Sequence, residues 1–108
     1  MADTTEDTPV LDTLAEMTAA SLENCNLDPA SLMLVRIAAL VSVGAPPASY
    51  LLNAPAAGEA GVDVQQVQDV LAAVAPIVGA PRVMAAVGNI ARAYGFAISV
   101  SESDLDLS

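Results

Sequence analysis

Apolar residues recur every three or four positions through most of the chain, in blocks separated by proline, glycine and aspartate, and that spacing predicts helices. The first block runs from about Pro9 to Cys25 and turns Leu11, Leu14, Ala15, Met17 and Leu22 to one side. The second has the clearest start. Asp28 stands where a carboxylate accepts free helix amides, and Pro29 takes the first helical position, where its missing N–H costs nothing. This helix is expected to stop near Gly44. Leu32, Met33, Leu34, Val35, Ile37, Leu40 and Val41 surround almost its whole circumference, which is the pattern of a central, covered helix. Arg36 is its only charge.

The third helix begins at Pro46-Pro47 and runs to about Ala60, with Pro55 inside it expected to kink or split it. Gly61 ends it, and Asp63 and Gln66 have the spacing of a capping box that starts the fourth. That helix sets Val64, Val67, Val70, Leu71, Val74 and Val78 on one stripe, with Gln65, Gln68 and Asp69 opposite; Pro76 disturbs its last turn and Gly79 closes it. The fifth starts at Pro81 and carries Val83, Met84, Val87, Ile90, Ala91 and Tyr94 before Gly95. "FAISVS" then alternates and is rich in β-branched residues, which predicts a short extended segment. With no repeat and no strand-helix alternation, the fold class is all-α. One helical domain over residues 9–98 is expected between a disordered acidic N-terminus, 1–8, and an acidic C-terminal tail, 99–108.

Composition adds a partner to this picture. A chain of 108 residues buries only a modest share of its surface alone, yet 55% of this one is hydrophobic and only 3% aromatic. So many small apolar side chains with so little charge point to a subunit contact, hence a homo-oligomer. The net charge of -10 repels nucleic acid and anionic lipid, so neither is expected as a partner. The acids gather at the two ends, where they keep an apolar body dissolved. One cysteine, Cys25, suits a reducing cytoplasm, and "MADTTEDTPV" lacks the regions of a signal peptide. "LMLVRIAALVSVGA" falls short of the roughly 18 to 20 apolar residues of a membrane span and is interrupted by Arg36. No cofactor is expected, and with no histidine and a single cysteine no metal is either.

The stretch "GVDVQQVQDVLAAVAPIVGAPRVMAAVGNIARA", Gly61 to Ala93, resembles the carboxymuconolactone decarboxylase family, relatives of the alkylhydroperoxidase D fold. The Gly-Val helix start, the Ala-Pro within the next helix, the short glycine-containing turn and the alanine-rich final helix follow the family's order. "LDPASLMLVRIAALVSVGAPPASYLLNAPAAGEAGV" is similar to its preceding helix pair, so the likeness runs from Leu27 to Ala93. The resemblance implies an all-helical bundle of five to six helices, assembled as a homotrimer or homohexamer, with a site between helices near the subunit contacts. It also implies that Met33 stands at a family glutamate, Asn53 at its histidine, Tyr50 at the cysteine of the peroxidase branch, and Gln66 at a second glutamate.

Those replacements leave two readings of function. In the first, a cofactor-free lyase acts on a small carboxylate: Tyr50 and Asn53, three apart on one helix face, share a pocket, and Arg36 holds the substrate's carboxylate. A lesser variant is a peroxidase using Cys25, although peroxide reduction by this fold needs a second thiol and a nearby base, and Cys25 is the one cysteine in a chain with no histidine to activate it. In the second, the protein is non-catalytic, a homo-oligomeric scaffold or a binder of a small molecule. There Tyr50 packs its ring at a helix contact, Asn53 covers carbonyls freed by Pro55, and Arg36 joins an ion pair within or between subunits. Arg82 is expected to pair with an acid elsewhere, and Asn89 with Arg92 to form a polar seam between subunits.

Overall fold

In the computed structural model, which describes residues 8–94, the chain forms α1 (Pro9–Glu23), α2 (Pro29–Val43), α3 (Pro47–Glu59), α4 (Val64–Val78) and α5 (Ala80–Tyr94). The starts follow local chemistry. Asp28 accepts the amide of Ser31 at 3.1 Å and its hydroxyl at 2.7 Å, and the hydroxyl bond first, then the amide, holds the Asp28 carboxyl below the usual carboxylate range. At α4 the box closes both ways: Asp63 Oδ1 accepts the Gln66 amide at 2.8 Å, and Gln66 Oε1 accepts the Asp63 amide at 3.1 Å. Asp63→Ala removes one side of this exchange and is expected to cost about 1–2 kcal/mol, read as a shift in denaturant midpoint at unchanged slope.

The ends are equally local. Gly44 sits at φ +70 beyond α2, its amide bonding to the Val41 carbonyl at 3.2 Å while the Ala45 amide reaches that of Leu40 at 3.0 Å. Glycine is needed there, because an L side chain strains at that φ. Gly61, φ +82, closes α3 in the same way, with Val62 reaching the Ala57 carbonyl at 3.0 Å. Neither internal proline splits its helix: α3 continues through Pro55 and α4 through Pro76.

Four helices make the core. α2 packs on α3, α4 and α5, α3 on α5, and α4 on α5, around Ile37, Val41, Ala45, Tyr50, Val67, Leu71, Ala86 and Ile90. The α4 stripe faces inward as its spacing predicts, with Val67 and Leu71 buried and Val70, Val74 and Val78 half-buried against them. α2 departs from expectation. Met33, Ile37 and Val41, four apart, are buried, but Val35 is 54% and Val43 71% exposed, so the helix lies at the edge of the bundle rather than at its centre. Met84 on α5 likewise faces outward, 64% exposed.

The first helix departs further. Its expected apolar face does not reach the core: every residue from Pro9 to Asn24 is exposed and none of α1 is buried. Among the described residues no helix is long and apolar enough to cross a membrane. The expected acidic N-terminus (1–8, of which only Thr8 is described), the extended "FAISVS" and the 99–108 tail otherwise lie outside the described residues.

Candidate functional site

Tyr50 is one of only two tyrosines, and α3 carries it into the middle of the bundle, where it is 0% exposed. Its ring meets that of Tyr94 on α5 edge to face, with centroids 6.5 Å apart and planes at 85°, an arrangement that suits the ring quadrupoles. The Tyr50 hydroxyl is buried and has no hydrogen-bond partner among the described residues. Burial pushes it up to about 12, with the neighbouring Tyr94 adding to the rise, and burial raises Tyr94 as well. A phenol held this far from ionisation is a poor general base at neutral pH.

Asn53 is half-buried one turn on, and its side chain is occupied: Nδ2 donates to the Ser49 carbonyl at 3.0 Å. The carbonyl that Pro55 leaves without a helical partner is that of Leu51, so Asn53 does not cover it; helical side chains lean toward the N-terminus, and this one bonds four residues back. Arg36 points elsewhere. Its Nη2 donates to Ser21 Oγ on α1 at 3.0 Å, and it forms no ion pair among the described residues. Within the protomer the lyase constellation of Tyr50, Asn53 and Arg36 is not brought together: a core phenol, an amide folded onto its own helix and a guanidinium turned to α1 share no partner among the described residues.

The other positions set apart by the sequence have structural work. Met33 is 2% exposed in the apolar core and Gln66 caps α4. Cys25 is a half-buried free thiol between α1 and α2, in a chain without an imidazole. Arg82 meets no acid among the described residues; its Nη1 lies over Gly44, 2.7 Å from where a Cβ would stand. Asn89 and Arg92 are hydrogen-bonded within the protomer. Asn89 donates to the Ala45 carbonyl at 3.2 Å, tying α5 to the turn after α2, and accepts from Arg92 Nη1 at 3.0 Å.

What the spacing did not announce is a cleft of about 450 Å³ bordered by Ile37, Ala54, Ala57, Gly58, Val62, Val64, Val67, Ala93 and Tyr94, with Asp63 at its edge. Its signal was present as small residues at Ala54, Ala57 and Gly58, one helix face without bulk. None of Tyr50, Asn53 and Arg36 lines it. Its walls are apolar, and the Asp63 carboxylate is engaged by the Gln66 amide, so the cleft offers shape and apolar surface rather than acid-base groups. Among the described residues, no three of His, Cys, Asp and Glu gather as a metal site would need.

A family model described as the carboxymuconolactone decarboxylase family matches residues 8–92, taking in α1 as well as the four core helices. No curated protein and no solved structure matches the chain.

Proposed function

The chain belongs to the carboxymuconolactone decarboxylase family, and from that premise we propose that it is a non-catalytic, homo-oligomeric, cytoplasmic member in which the family's site has become packing. The observation that carries this reading is Tyr50. By the resemblance it falls where the peroxidase branch has its thiol, and its ring is 0% exposed while its hydroxyl faces no acceptor among the described residues. The occupied amide of Asn53 and the buried thioether of Met33 support it, since neither an imidazole's proton transfer nor a carboxylate's survives in these groups. The lone Cys25 supports a reducing compartment but no thiol-disulfide cycle.

The cleft beside Tyr94 favours one addition: the protein takes up a small, largely apolar molecule without transforming it. The experiment is to incubate the purified protein with a carboxymuconolactone and, separately, with an alkyl hydroperoxide and a dithiol reductant. No turnover above buffer is expected in either. Turnover lost in Tyr50→Phe, Asn53→Ala or Cys25→Ser would overturn the non-catalytic reading and name the residue responsible. A heat of binding for apolar ligands that Val64→Trp abolishes is the expected mark of the cleft; the same heat with Val64→Trp would remove the cleft as the binding place.

A further inference from the structure

α1 is a helix of 15 residues with none buried, a length that is marginal for a helix without tertiary support. At about 100° per residue its three acids, Asp12, Glu16 and Glu23, fall within one arc of roughly 40°, and Val10, Leu14, Met17 and Ser21 form a stripe on the far side that Leu11 and Leu22 widen. That side is charge-free and open to solvent: Val10 is 69%, Leu11 59%, Leu14 45%, Met17 61% and Leu22 48% exposed. The helix is moored to its own bundle at Ser21, through the bond from Arg36.

Arg36 marks where α1 bonds to α2, and alongside it α2 carries a second bare apolar stripe. Val35, Ala39 and Val43, four apart, are all exposed and bear no charge. α1 bonds to α2 at Arg36, and Val35, Ala39 and Val43 beside it stay exposed, so the stripe of its own α2 is left open. We infer that α1 of one copy lies along the Val35-Ala39-Val43 stripe of α2 in a second copy, and reciprocally. This rests on the homo-oligomeric reading above and says which surface makes the contact.

A second copy is the occupant because it brings both stripes in equal number, so one twofold contact satisfies all four. Charge agrees. The acids of α1 lie away from the seam, so two chains of net charge -10 meet there without burying like charges. Area agrees too. Seven large side chains about half exposed or more carry on the order of 600 Å² per copy, or about 1,200 Å² for the reciprocal contact, which a specific interface requires.

The test is the molar mass in solution by light scattering, across a dilution series, for the full chain and for Leu14→Asp, Val43→Asp and Leu52→Asp. Leu52 is 73% exposed on α3, a helix that carries neither stripe, and serves as the control. The wild type and Leu52→Asp are expected to be oligomeric. Leu14→Asp and Val43→Asp are each expected to raise the dissociation midpoint at least 100-fold with unchanged helicity at the core. If Leu14→Asp loses its helix content, Leu14→Asn, which adds no charge, reads the same contact with a smaller shift. An oligomer indifferent to either stripe variant overturns this interface while leaving the homo-oligomeric reading intact. A wild type that is monomeric at high concentration overturns both.

Discussion

Tyr50→Ala is expected to lower stability by about 3–5 kcal/mol, while Tyr50→Phe leaves it unchanged or raises it by up to about 1 kcal/mol. The first figure follows from position. The ring is wholly buried, edge to face with Tyr94, in the cluster that includes Ile37, Val41 and Ile90, so truncation leaves a cavity in that cluster and removes its packing contacts. For a domain of this size the loss is a large share of the total, and the melting temperature is expected to fall by roughly 15–25 °C. The second figure follows from the hydroxyl. It accepts and donates nothing among the described residues, so phenylalanine keeps the volume and sheds a buried polar group that lacks compensation. Thermal melts of the two variants decide between roles. A catalytic or ligand-binding phenol predicts that Tyr50→Phe loses function without gaining stability; a packing phenol predicts the reverse. A Tyr50→Phe melt well below wild type would mean that the hydroxyl is bonded in solution.

How much of this was legible in the sequence depends on whether the deciding physics was local. The helix starts were, because Asp28 with Pro29 and Asp63 with Gln66 satisfy amides within four residues of themselves. The glycine ends were too, since a positive φ is a property of one residue. What covers a helix is not local. α1 and α4 show the same apolar period, yet α4 is buried along its stripe and α1 nowhere, and the even spread of apolar residues on α2 did not foretell that Val35 and Val43 face outward.

The candidate site divides along the same line. That Tyr50 and Asn53 share a helix face follows from their spacing, but the direction each takes does not. The side chain of Asn53 turns back to its own helix, and Tyr50 is committed to the core by Tyr94, 44 positions later, a partner that no local pattern identifies. Arg36 needs a partner by its charge alone, and the hydroxyl of Ser21 that answers it belongs to a helix the rest of the core does not contact closely.

Alkaline pH is expected to unfold the protein through the same phenol. In the unfolded chain a tyrosine ionises near 10, whereas Tyr50 in the fold is pushed up to about 12 and Tyr94 is raised as well, burial being the main cause in both. Between those values the unfolded state gives up protons that the folded state keeps, so stability falls as pH rises. The contribution is whole below pH 10 and is lost through pH 12, about 2–3 kcal/mol for Tyr50 alone, since each tenfold change in proton affinity is worth about 1.4 kcal/mol. Few other groups blur this window, because the three cations are arginines, there is no histidine, and Cys25→Ser removes the thiol. Urea unfolding at a series of pH values, followed by tyrosinate absorbance and by helical circular dichroism, checks it. In the Cys25→Ser background the midpoint should fall steeply above pH 10, and in Cys25→Ser/Tyr50→Phe the fall should shrink to what Tyr94 contributes. A slope unchanged by Tyr50→Phe would mean that the hydroxyl meets water in solution, which would reopen the place between α3 and α5 as a site that a ligand can reach.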